Sequence, residues 1–256
     1  MNNKISLSSR IFSASCEGQS NLLRVLLQED IGETLHALAF KEAAEAGHLN
    51  VINVFLEHDP QYAQSDLALQ YCVKRNHMHV FNRLVDISAD YARALALPQA
   101  SGQGLMSVVE NLLDSAILFP GILQNALNNA AREGHLDIIQ RITDHTPFSE
   151  RSQALAYAAS NNHISVVKYL LPLCDPKFND SQALQYAVEE GNIEIADLLY
   201  PFSDPDVALS NLMEDLELQP GDAAVEYLEV RIENERINKV LSSELAQSTR
   251  VINRKM

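Results

Sequence analysis

Tryptophan is absent from the 256 residues, cysteine occurs three times, and cations are scarce, with 19 Lys and Arg against 34 Asp and Glu. Each shortage excludes something. Cys16, Cys72 and Cys174 are too few, and odd in number, for a disulfide framework, and they suit a reducing, cytoplasmic compartment. A formal net charge of −15 is the reverse of what phosphate neutralisation requires of a nucleic-acid binder, and it disfavours anionic membrane surfaces. Uninterrupted apolar runs are only a few residues long, far short of the roughly 20 that cross a bilayer. The start, Met1-Asn2-Asn3-Lys4-Ile5-Ser6, lacks the apolar stretch of a secretory signal. No Cys-x-x-Cys or His-Glu-x-x-His string and no Gly-rich phosphate loop occurs, so neither a metal nor a cofactor is expected.

What the chain does have is repetition. Ala43-Ala44-Glu45-Ala46-Gly47-His48-Leu49-Asn50-Val51-Ile52 aligns with Ala130-Ala131-Arg132-Glu133-Gly134-His135-Leu136-Asp137-Ile138-Ile139. Ala158-Ala159-Ser160-Asn161-Asn162-His163-Ile164-Ser165-Val166-Val167 is the same string with Asn in place of Gly. The turn residues of the full set are Gly18, Gly47, Asn76, Gly104, Gly134, Asn162 and Gly191, spaced by 28 to 30 residues. Such spacing marks stacked supersecondary units.

Each unit reads as two short helices. Apolar pairs at i, i+3 and i+4 precede the turn, as in Ala154-Leu155 and Ala158-Ala159, and follow it, as in Val166-Val167 and Leu170-Leu171. Gly and Asn between them tolerate the left-handed backbone that ends a helix. Asp66, Ser152 and Ser181, each ten before its turn residue, are the expected N-caps. Asp59-Pro60, Asp175-Pro176 and Asp204-Pro205 stop the second helix. Helices this short are marginal alone, and stacking buries the face that one pair leaves open. After the repeats, Val207–Leu216 reads as one more first helix, and Ala223 to about Ala246 as a long capping helix. The first dozen residues and Gln247–Met256 are expected to fray.

The string Ala-Ala-x-x-Gly-His-x-x-Val-Val-x-x-Leu-Leu resembles the signature of the ankyrin repeat. The match is close at Gly47, Gly134 and Asn162, good at Asn76 and Gly191, and degenerate at Gly18 and Gly104. The family period is about 33 residues. The period here is shorter, and the Thr-Pro-Leu-His start of the first helix is missing, so projecting hairpin fingers are expected to be short or absent. The short period is similar to that of repeats in giant viruses and in intracellular bacteria that deliver proteins into host cells. The resemblance implies an all-α helix–turn–helix solenoid of about seven repeats over residues 9–206. An acidic cap with its long helix follows over 207–246 in the same continuous stack.

The resemblance also implies roles. His48, His77, His135 and His163 would tie neighbouring turns together by hydrogen bonds. Tyr71, Tyr157 and Tyr186, five before their turn residues, would face the core where the family has leucine. The two residues before each turn would face a partner, and here they vary: Glu45, Lys74 and Arg75, Arg132 and Glu133, Ser160 and Asn161, Glu189 and Glu190. Cys16, also in such a position, is the one cysteine expected to be exposed, and Cys72 is expected to be buried and inert.

Charge is lopsided. Thirteen carboxylates lie between Asp180 and Glu229, with no Lys, Arg or His among them. That stretch is either a solvated cap or a docking surface for a basic partner. The leading expectation is therefore a monomeric, non-enzymatic scaffold that binds a protein on the concave helical face or at the acidic end, where a basic partner would suit the charge. One form of it is an effector secreted into a host cytosol. The alternative is an enzyme or enzyme regulator, with its site at Cys16, in the irregular segment Ser88–Gly104 or on the C-terminal helix. That helix also offers a route to self-association.

Overall fold

The computed structural model describes residues 6–29, 33–64, 67–115, 119–214 and 217–253. Among these there are sixteen α-helices and no β-strand, so no hairpin finger is formed by any described residue. Two compact units, Met1–Pro147 and Phe148–Met256, make up the chain.

The first unit contains five helix pairs: α1 (Leu7–Cys16) with α2 (Ser20–Leu26), α3 (Glu33–Ala46) with α4 (Leu49–His58), α5 (Ala68–Lys74) with α6 (Met78–Leu84), α7 (Asp90–Gly102) with α8 (Met106–Ser115), and α9 (Pro120–Glu133) with α10 (Leu136–Thr143). First helices pack on first helices in the order α1, α3, α5, α7, α9. The second unit contains α11 (Ser152–Ser160) with α12 (Ile164–Leu170), α13 (Phe178–Glu189) with α14 (Ile193–Leu199), and α15 (Pro205–Glu214) with α16 (Ala223–Asn253). There α11, α13 and α15 stack in turn, and α16 packs on α15 as a second helix packs on its first. The cap is thus an eighth helix pair with an outsized second member.

Small residues make this stacking possible. Ala43, Ala44, Ala130, Ala131, Ala158 and Ala159 are completely buried, where backbones approach too closely for larger side chains. Their partners are the β-branched and leucine pairs of the second helices, such as Val51-Ile52, Ile138-Ile139 and Val166-Val167, also completely buried. Phe40, Phe55 and Tyr62 add an aromatic cluster in the first unit, with ring centroids 5.3–6.0 Å apart. All seven turn residues have positive φ, from 60° at Asn76 and Asn162 to 80° at Gly134.

Some local details differ from the sequence reading. Ser152 and Ser181 do not cap their own helices. Both are buried, and their Oγ atoms accept from the backbone N–H of Asp175 (3.1 Å) and Asp204 (2.7 Å). Each serine thereby ties the start of a first helix to the Asp-Pro loop 23 residues on. Ser181 takes this position through three successive left-handed residues, Asn179, Asp180 and Ser181. Asp66 lies outside the described residues, as do Asp215 and Leu216. Helix α1 already begins at Leu7, and α16 runs to Asn253 where fraying was expected from 247. No helix is long and apolar enough to cross a membrane among the described residues.

Candidate partner-binding surface

The residues before each turn stand at the C-terminal ends of the first helices, so stacking of those helices brings them into one row within each unit. In the first unit the row holds Glu45, Lys74, Arg75, Arg132 and Glu133, of which Glu45 is half-buried and the others exposed. Arg75 bridges to Glu45 of the preceding repeat at 2.7 Å. Tyr71 lies between two cations, with Lys41 Nζ 4.5 Å and Lys74 Nζ 5.7 Å from its ring centroid. Lys41 also pairs with Glu42 at 2.9 Å, a contact that holds its ammonium charged and raises its pKa. Lys41 and Glu42 belong to this cluster, yet the repeat alignment does not single them out, because they sit one helical turn before the aligned pair.

In the second unit the row holds Ser160, Asn161, Glu189 and Glu190. Ser160 is half-buried and the other three are exposed. Asn161 Nδ2 donates to Tyr157 O at 2.9 Å, closing the end of α11. Glu189 and Glu190 have no ion pair among the described residues.

The row is fixed from behind by side chains of the following repeat. His48 Nε2 bonds Cys16 O at 2.9 Å, and His135 Nε2 bonds Gly102 O at 3.2 Å. In the second unit Asn192 replaces histidine, and its Nδ2 donates to both Ala159 O and Ser160 O at 2.9 Å. One turn departs from the pattern. The His77 ring packs on Gly47 and edge-on to His79, and it is His79 Nε2 that bonds Gly47 O at 2.8 Å. Gln103 Nε2 adds a further tie to Lys74 O at 2.8 Å.

Tyr71, Tyr157 and Tyr186 are half-buried, not core residues. Their hydroxyls favour the wet edge of the row, and Tyr186 OH accepts from Gln182 Nε2 at 2.9 Å.

The acidic stretch is partly consumed by the molecule itself. Asp197 accepts from Tyr227 OH (2.8 Å) and Arg231 (2.9 Å), Asp206 from Arg236 (2.9 Å), and Lys177 stands 3.6 Å from Asp204. A polar groove of about 700 Å³ lies between α16 and the loop before α15, with Tyr200, Asp206, Arg231 and Glu235 on its walls. Burial and then the Glu235 carboxylate push the Tyr200 phenol up, while burial and Asp197 do the same to Tyr227. A hydrogen bond from Lys239 holds Glu235 below the usual carboxylate range. The two tyrosine shifts follow from the contacts that dock α16, while that of Glu235 comes first from Lys239 on the same helix.

Cys72 and Cys174 are buried, which pushes both thiols up to about 12. Cys16 is half-buried, and burial with Glu42 and Glu17 nearby raises it as well, the opposite of what a nucleophile needs. Ser88–Gly104 forms an ordinary first helix despite Pro98, whose carbonyl accepts from Asn129 Nδ2 at 3.0 Å. No group of three His, Cys, Asp or Glu that could hold a metal occurs among the described residues.

Helix pairs of this geometry, joined by a left-handed turn and tied by the following histidine, match the family described as Ankyrin repeats in three copies, over residues 95–180 and 127–211. Residues 95–211 carry ankyrin repeats. Those at Gly18, Gly47 and Asn76 lie outside the matched residues but share the turn geometry of the rest. A comparison with curated proteins finds no match. An all-helical ankyrin fold is typically a protein–protein interaction scaffold and not an enzyme.

Proposed function

We propose that the chain binds a partner protein along the rows of first-helix ends: Glu45, Lys74, Arg75, Arg132 and Glu133 in the first unit, and Ser160, Asn161, Glu189 and Glu190 in the second. One observation carries this reading. The backbone under each row is fixed by side chains of the following repeat, while the exposed residues change in charge and size from repeat to repeat. A rigid frame with a variable face loses little conformational entropy on binding and can be specific.

The partner's chemistry follows from the charges. Glu189 and Glu190 are exposed and without ion pairs among the described residues, so they favour a basic segment, while Lys74 and Arg75 beside Tyr71 favour a carboxylate or an aromatic face. The short repeat period, similar to that of proteins that intracellular bacteria deliver into host cells, supports a secreted effector with a host protein as its partner.

The test is affinity purification on immobilised chain from a candidate host lysate, repeated at high salt. Lys74→Glu with Arg75→Glu, and separately Glu189→Lys with Glu190→Lys, should each weaken capture of the same partner at least tenfold while the thermal melt stays within a few degrees. Equal capture by both variants would remove the rows as the binding site.

A further inference from the structure

The groove between α16 and the loop before α15 lies at the start of a first helix, the end opposite to the partner row. Its α16 wall carries Arg231, Asn234, Glu235, Asn238 and Lys239, which extend over about 12 Å of helix axis. Three of these are committed, Arg231 to Asp197 and Glu235 and Lys239 to each other. Asn234 and Asn238 are not. Both are exposed, and neither side chain makes a hydrogen bond among the described residues. The opposite wall supplies Ser203, Asp204 and Asp206. Ser203 is only 8% exposed, yet its Oγ has no partner among the described residues. Buried polar atoms are nearly always paired, so this wall is short of one hydrogen bond.

We propose that this groove binds an extended peptide segment of about four residues with a Lys or Arg near its centre. Two features select that occupant. The first is spacing. Asn234 and Asn238 are four residues apart on one helix face, about 6 Å along the axis. Alternate residues of an extended chain are about 6.7 Å apart and turn their N–H and C=O groups to the same side. A side-chain amide offers one carbonyl and one NH2 group, so each asparagine pairs with both backbone groups of one residue, and the two take up residues i and i+2. A helical ligand has already spent those groups on itself. The length of the α16 wall matches about four extended residues. The second feature is charge. The wall facing the amides carries Asp204 and Asp206, inside a stretch from 180 to 229 that has no cation. Asp204 has its ion pair with Lys177, a side chain outside the groove, at a loose 3.6 Å. Arg231 and Lys239 stand at the two ends of the α16 wall, so the cation of the segment belongs between them, opposite the two acids. This site does not depend on the proposed partner rows.

NMR titration of the full chain reads it, with a terminally blocked pentapeptide that carries two β-branched residues on each side of a central arginine. The side-chain amide resonances of Asn234 and Asn238 should shift with added peptide. Asn234→Ala with Asn238→Ala should raise the dissociation constant at least fivefold with an unchanged thermal melt, since both side chains are exposed. Glu189→Lys with Glu190→Lys should leave the shifts at Asn234 and Asn238 in place, which separates this groove from the row. Asp204→Asn should weaken the arginine peptide and spare the same peptide with a central glutamine. N-methylation of alternate peptide residues should abolish binding in one of its two registers, because the asparagines bond to the backbone. A titration that leaves the two asparagines unmoved overturns the proposal, as does a double-alanine variant with wild-type affinity. Equal binding of both N-methylated peptides, or of arginine amide alone, also overturns it, since either leaves only a cluster of acids that attracts any cation.

Discussion

In the unit Met1–Pro147 the turns at Gly18, Gly47 and Gly104 each receive a histidine ring from the following repeat, whereas in Phe148–Met256 the turn at Asn162 is followed by the amide of Asn192. A Cβ at Gly47 would stand 2.7 Å from His77 Nδ1, and one at Gly104 would stand 2.7 Å from His135 Cε1. Glycine is needed there twice over, for the positive φ and for the room. At Asn162 only the φ constrains the residue, and asparagine meets that at small cost. Asn76 fits the same logic, because the repeat after it carries Leu105 where others carry histidine. At Gly18, Gly47, Asn76, Gly104 and Asn162 the choice of Gly or Asn therefore follows the side chain that the next repeat brings, while Gly191 has open space at its Cβ position and only its positive φ favours glycine.

The two units also spend their charges differently. In the first, Arg75 pairs with Glu45 inside the row, and in the second Arg231 and Arg236 on α16 pair with acids outside it. Among the described residues, Glu189 and Glu190 are left without an ion pair in the second row.

The largest expected effect tests what the units share. Ala130→Phe in one and Ala158→Phe in the other should each cost about 1–3 kcal/mol, because both alanines are fully buried between close helices. Chemical denaturation reads this, and a wild-type midpoint for either variant would show that the alanine seam is looser than described. The next effect separates the units. Gly47→Ala should cost about 1–2 kcal/mol in left-handed strain alone, and more from the His77 ring. Adding His77→Ala should return only the collision part, and Asn162→Gly should stay within about 0.5 kcal/mol of wild type. If Gly47→Ala melts like wild type, the ring-on-glycine account fails. The smallest effect tests the charges. Asp197→Asn and Glu45→Gln should each cost about 0.2–1 kcal/mol at low salt, as partly exposed pairs do, and the difference should shrink at high salt. A cost that persists in molar salt would mean that these pairs act through packing.

Much of the frame was legible in the sequence. Periodicity located the seven turns, because a left-handed helix end admits few residue types and a stack must repeat them. It also located the alanine seam, because close helix approach excludes large side chains. The details that escaped it are long-range. Ser152 and Ser181 look like caps by position, but each faces a loop N–H that only the stacked repeat brings within reach. The tyrosines look like core by alignment, but Tyr71 lies at the edge of the row under Lys41, which the alignment does not connect to it. His79, not His77, takes up Gly47 O, a choice between two rings two residues apart that sequence spacing cannot make.

The sequence by itself determined the repeat, its helices and the rigid row of helix ends, since backbone sterics at the turns and apolar spacing on the helices are local properties. Only the tertiary structure decided how the acidic stretch is used. Thirteen carboxylates without a cation read as one surface along the chain, but α16 folds back with Arg231 and Arg236 against Asp197 and Asp206. Coulomb attraction depends on distance in space, not along the chain. That return removes part of the acidic surface, leaves Glu189 and Glu190 exposed at the end of their helix, and turns the far face of α16 outward with Val230, Ile237, Val240 and Leu241 exposed.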